Sequence, residues 1–101
     1  MELRATKNRW AEIFSKEQQT TKLQRFADAY AMETGDDFVV VCKNGGWIEV
    51  YDTDLKLIST EVFLNVKEVS AGKYITVILK NGWSEVYDKW FNMQSVKYCG
   101  D

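Results

Sequence analysis

The sequence predicts an all-β fold built from three copies of one unit of 36–37 residues. Three observations carry this. The segments TKNRWAEIF (6–14), CKNGGWIEVYD (42–52) and LKNGWSEVYD (79–88) each hold Lys-Asn, a short turn, and Trp-x-Glu-[Ile/Val]-aromatic. Their tryptophans, Trp10, Trp47 and Trp83, recur at intervals of 37 and 36 residues. The match extends outward, because Phe26 falls on Phe63 and Gly35 on Gly72 at a spacing of 37. Self-similarity at a fixed period marks stacked supersecondary units.

Each complete unit reads as four short antiparallel strands. The first unit lacks its opening strand and supplies 2–7, 10–15 and 20–26. The second supplies 28–33, 38–43, 47–52 and 57–63, and the third 65–70, 74–80, 83–88 and 92–98. Repeat boundaries fall near 1–27, 28–64 and 65–101 within a single domain, 1–101. Asn81-Gly82 between apolar runs predicts a two-residue type I′ hairpin with positive φ at both positions, pairing Lys80 with Trp83. Asn44-Gly45-Gly46 is one residue longer, which on this reading makes the period waver. Asn8-Arg9 is a poor copy, since Arg resists positive φ.

One stretch reads two ways. In 15–32, Leu23, Phe26, Ala27 and Tyr30 fit a helical face, giving an α+β alternative with a helix there. Its counterpart 52–69 alternates β-branched residues, and repeats share a fold, so strand is favoured for 20–33.

Strand alternation sorts the side chains by face. One face of the second hairpin holds Phe38, Val40, Cys42, Ile48 and Val50, a core. The register above puts Ile75, Val77, Leu79 and Val86 on the matching face of the third, and places Val40 and Ile78 on different hairpin faces, both buried. The first unit has Glu2, Arg4, Thr6, Ala11 and Ile13 there, half of them polar, as in an end unit with one wet face. The opposite face carries Lys7, Trp10, Glu12 and Phe14, then Lys43, Trp47, Glu49 and Tyr51, then Lys80, Trp83, Glu85 and Tyr87. Lys beside Trp permits a cation–π contact. Such a face suits a peptide or sugar ligand. It equally suits packing between neighbouring sheets, because large aromatics dominate cores.

Composition narrows the function classes. With 101 residues, 46% apolar and 14% aromatic, the chain is long enough for one small core. No apolar run approaches the roughly 18 residues of a membrane span, and MELRATKNRW lacks the apolar stretch of a signal peptide. A net charge of −2 and a pI near 5.2 argue against a nucleic-acid binder. Basic residues outnumber acidic ones six to three in 1–25, and acidic outnumber basic twelve to seven in 26–101, a weak dipole or simply a solvated surface. Cys42 and Cys99 form neither a disulfide framework nor a metal pattern, so a reducing, cytoplasmic setting is expected.

Catalytic patterns are weak. There is no His, so a Ser or Cys nucleophile has no ordinary base partner. Glu49 and Glu85 would suit a glycosidase dyad, yet they occupy equivalent repeat positions. Asp36-Asp37 and Asp52/Asp54 lack EF-hand spacing and read as turn acids. No phosphate or dinucleotide glycine pattern occurs. The expectation is a non-enzyme without cofactor or metal.

KEVSAGKYITVILKNG (67–82) resembles the repeat of the regulator of chromosome condensation family, matching at Val69, Ser70, Ala71, Gly72, Thr76, Leu79 and Gly82, with Ile75 where the family has His. AMETGDDFVVVCKNG (31–45) is a weaker match. The resemblance covers about a third of the chain and implies a β-propeller-type blade, not an exchange-factor activity. The GxxxVYD strands are also similar to monocot mannose-binding lectins, whose three units form a β-prism. Their sugar motif would fall on Leu79, Asn81, Trp83, Glu85 and Tyr87, of which Tyr87 alone matches.

These readings converge on a protein-binding module, a small adaptor or viral-type inhibitor acting on a larger host protein complex. The alternative is a small carbohydrate-binding protein using the repeated Trp/Tyr faces. Three units are too few for a closed propeller. They either close as a prism, or pair with a second copy as a homodimeric six-bladed ring, or form a self-contained β domain with an exposed edge, the arrangement favoured here. Light scattering over a concentration series separates them: a constant mass near 11.7 kDa sinks the two-chain ring.

Overall fold

The computed structural model describes the backbone of residues 2–5, 10–15, 20–26 and 28–98, and the side chains of 25, 26 and 28–98. All elements among these residues are strands, each within two residues of its expected span. The first sheet holds β1 (Glu2–Ala5), β2 (Trp10–Ser15) and β3 (Thr20–Arg25). The second holds β4 (Ala29–Thr34), β5 (Val39–Lys43), β6 (Trp47–Tyr51) and β7 (Leu57–Val62). The third holds β8 (Val66–Ala71), β9 (Ile75–Leu79), β10 (Trp83–Tyr87) and β11 (Met93–Tyr98). Every pairing is antiparallel and joins consecutive strands. The helix alternative for 15–32 does not hold, because β3 and β4 are strands. Local helix propensity loses there to sheet pairing, and Ala29 is fully buried in the junction below the second sheet.

The sheets follow one another in chain order, with β1 beside β4 and β5, and β4 beside β8, over extents of 47 × 25 × 20 Å. Two cores fill the junctions. Phe38, Val40, Cys42, Ile48 and Val50 of the second sheet pack against Val69, Ile75 and Val77 of the third. On the opposite side of the second sheet, Val39, Val41 and Tyr51 join Phe26, Ala29 and Leu55. Strand β5 is therefore covered on both faces. This explains the unbroken FVVVC run, since a strand buried on two sides has no polar positions to alternate with.

The third hairpin corrects the expected register. Ser84 pairs with Ile78 and Glu85 with Val77, which sets Leu79 opposite Trp83 and leaves Lys80-Asn81-Gly82 as a three-residue loop. Only Gly82 within it has positive φ, at 96°, and its N–H donates to the Leu79 carbonyl at 3.0 Å. That is the form in which a type I turn is followed by a left-handed glycine, not type I′. The second hairpin, with Lys43 opposite Trp47, also has a three-residue loop. The period therefore changes elsewhere: four residues, Gly35 to Phe38, join β4 to β5, and three, Gly72 to Tyr74, join β8 to β9.

A one-residue slip exchanges the faces of a strand. Ile75, Val77 and Leu79 thus share a face with Glu85 and Tyr87, whereas Val86, opposite Thr76, points the other way with Ile78. Val40 and Ile78 consequently lie on equivalent faces, and Ile78, half-buried, belongs to neither core.

Aromatic clusters tie each junction to a turn. Asp52 Oδ1 accepts the N–H groups of Asp54 and Lys56 at 2.8 and 2.9 Å, and Asp88 Oδ1 accepts those of Trp90 and Asn92, both at 2.9 Å. Three residues after each aspartate, Leu55 and Phe91 take left-handed φ of 60° and 61°. Bulky residues avoid that region, so burial must hold them there. Leu55 is buried with Phe26 and Tyr51, whose rings lie 4.6 Å apart. Phe91 packs 5.8 Å from Phe63 and 5.7 Å from Tyr87.

Val40→Ala should cost about 1–4 kcal/mol in urea unfolding, and Ile78→Ala clearly less. Equal losses would contradict the register. Gly46→Ala should cost more than about 1 kcal/mol: φ is +87°, its carbonyl accepts the Phe63 N–H at 2.9 Å, and a Cβ would run into the Phe63 carbonyl oxygen.

Candidate functional site

The repeated Trp-x-Glu-x-Tyr faces of β6 and β10 divide in the structure. Tyr51 is buried against Phe26, and Tyr87 is half-buried, 5.6 Å from Phe63. Trp47 and Trp83, at the opposite strand ends, are 47% and 42% exposed. The tyrosines are thus packing residues, and the tryptophans present aromatic surface to solvent. Between them stands the glutamate. Glu49 accepts the Tyr51 hydroxyl at 2.7 Å and pairs with Lys43 Nζ at 2.9 Å. Glu85 accepts the Tyr87 hydroxyl at 2.8 Å.

Lys80 leaves the expected set. The three-residue loop moves it off β9 into the turn, where its backbone N–H donates to the Asn65 carbonyl at 2.7 Å. Leu79 occupies the register position that Lys43 holds in the second sheet. The ammonium of Lys43 goes to Glu49 rather than to the Trp47 ring, and the cation–π pairs among the described residues are Lys89 with Trp90 and Lys73 with Tyr74. Lys7 and the side chains of Trp10, Glu12 and Phe14 lie outside the described residues, as does Cys99.

The titratable groups are tuned for structure. Burial opposes ionisation of Glu49, but the Tyr51 hydroxyl and Lys43 outweigh it and hold the carboxyl below its usual range. Burial and then Glu49 push the Tyr51 hydroxyl well up. Burial, then Glu85 and Glu61, push Tyr87 up to about 12. Burial, then Glu33, push the Cys42 thiol up to about 11, which makes it inert as a nucleophile.

Sequence reasoning placed the outer strand of the third sheet but counted none of its residues towards the site. Met93, Val96 and Tyr98 of β11 stand opposite Tyr87, Glu85 and Trp83, all three about half exposed. Trp83 and Tyr98 meet edge to face at 5.2 Å, and Trp90 is exposed under Lys89 in the turn at the other end of the β10–β11 hairpin. The period contained the signal: Leu57, Thr60 and Val62 of β7 take the same places opposite Tyr51, Glu49 and Trp47. The third sheet thus loses a hydroxyl there, with Val96 for Thr60, and gains an aromatic ring, with Tyr98 for Val62.

No protein-family profile matches the chain, and no curated protein sequence matches it. Solved structures do. BamB from Moraxella catarrhalis superposes with a TM-score of 0.62 at 10% identity, over 94% of this chain and 31% of that one. A fragment of HIRA superposes with a TM-score of 0.60 at 12% identity, over 85% of this chain and 30% of that one. Both are β-propeller proteins, so the three sheets have the arrangement of successive propeller blades. The chain spans about a third of the length of either.

The raised tyrosines predict an alkaline weakness. A tyrosine held protonated in the fold stabilises it fully below the unfolded value of 10.0, and that contribution is lost as pH rises towards about 12. Tyr87→Phe should flatten the loss of stability between about pH 10 and 12. An unchanged alkaline limb in denaturant titrations would contradict the burial of the Tyr87 hydroxyl beside Glu85.

Proposed function

We propose that the chain is a non-enzymatic protein-binding module that engages its partner through the outer strands of the third sheet. The observation that carries this is the Trp83–Tyr98 pair at 5.2 Å, both rings about half exposed and continued by Val96 and Met93 along β11. Contiguous exposed aromatic surface on rigid strands is what interface anchors are made of, because it brings large area at little entropy cost. The groups that chemistry would use are otherwise engaged: Glu49 by Lys43 and Tyr51, the Asp52 and Asp88 carboxylates by turn amides, and the Cys42 thiol by burial. A small rigid fold with an apolar outer strip fits an adaptor, or an inhibitor that occupies a surface of a larger complex.

Trp83→Ala and Tyr98→Ala should leave the melting temperature within a few degrees while weakening partner capture from the native host by about 2 kcal/mol, roughly thirtyfold. Undiminished capture, or a collapse in melting temperature, would count against the strip as an interface. A glycan array is the companion measurement. Glycan binding to which Trp47 and Trp83 contribute alike would favour the carbohydrate reading instead.

A further inference from the structure

We infer that the outer cleft between the second and third sheets is a groove for an extended partner segment carrying one Lys or Arg between apolar side chains, an inference that rests on the protein-binding reading. The two interfaces of β6 and β10 are built on the same pattern, and they differ in one charge. On β6, Glu49 is neutralised by Lys43 at 2.9 Å. On β10, Leu79 stands where the lysine would be, and Glu85 accepts the Tyr87 hydroxyl without an ion pair to any described cation. Lys97, the cation on β11, pairs in register with Ser84 and so lies on the other face of the sheet.

A second carboxylate faces the same space. Glu61 of β7 stands opposite Ile48, on the side of the second sheet that packs towards the third, and its charge is felt at the Tyr87 hydroxyl. Met93, Val96 and Tyr98 form the apolar wall beside Glu85, with Trp83 at the end. A purely apolar ligand pressed against this wall would strip water from Glu85 and leave it unpaired, which is costly. A ligand cation placed between its own apolar neighbours meets both demands and supplies what Lys43 supplies on β6. The edge of β11 adds open backbone groups along which an extended segment can run.

The test is to pan a random peptide library on the full chain and measure affinities of the enriched peptides by fluorescence anisotropy. Enriched sequences should carry Lys or Arg flanked by apolar residues and should bind more weakly as salt rises. Glu85→Gln keeps the Tyr87 hydrogen bond and should weaken them about tenfold or more. Glu85→Asp should restore part of the loss, and Glu68→Gln, on the opposite face, should change affinity less than about twofold. Melting curves exclude variants that fail to fold. No enriched peptide, enrichment without basic residues, or indifference to Glu85→Gln would overturn the inference. If Trp83→Ala abolishes binding while Glu85→Gln does not, the protein-binding reading stands and the charge argument alone fails.

Discussion

The fold depends on one strand being buried twice. Val39, Val40, Val41 and Cys42 of β5 are all essentially inaccessible, with odd positions in the junction towards the first sheet and even ones against the third. Neither junction is large, and a lone four-stranded sheet would leave an apolar face in water. Stacking on both sides is what makes the middle sheet stable, as in other repeat architectures where each unit leans on its neighbours. The turns then follow. Leu55 and Phe91 are driven into left-handed backbone because their side chains complete the clusters around Tyr51 and Tyr87. A polar residue in that conformation would satisfy the backbone more easily but would leave the junction unfilled.

Most of the strand plan was legible because the period forces it. SKEQQTTKLQRFADAYAM looks helical alone, and only its equivalence to a β-branched segment identifies β3 and β4. The register of the third hairpin was not legible. Asn-Gly signals a two-residue turn, yet Asn81 Oδ1 instead accepts the Trp83 N–H at 3.2 Å, Gly82 alone turns left-handed, and Lys80 is drawn into the loop. One extra loop residue reversed the face of every β9 side chain. In the second hairpin the extra glycine was visible, and its core was read as it stands.

The site was half legible for a related reason. Residue type and alternation put Trp, Glu and Tyr on one face, but they do not say how far along a strand the neighbouring sheet reaches. Tyr51 is buried and Tyr87 half-buried, while Trp47 and Trp83 at the other strand ends stay open to solvent. The residues of the outer strand escaped attention because they repeat in role and not in identity. Leu57 and Met93, or Val62 and Tyr98, stand 36 residues apart like Trp47 and Trp83, and it is this spacing, not residue type, that marks them as counterparts.

Repetition explains packing, so departures from it are where explanation by packing runs out. The Glu–Tyr hydrogen bond recurs at 2.7 and 2.8 Å, as expected of a structural element. Leu79 in place of Lys43 packs, partly buried, at the margin of the core between the second and third sheets. It removes the cation from a carboxylate that the fold otherwise treats identically. Together with Val96 for Thr60 and Tyr98 for Val62, it turns one of two equivalent clefts into one with a larger aromatic wall and an uncompensated negative charge. Three changes, on the two strands that flank Glu85, give that cleft a binding chemistry that its sister lacks.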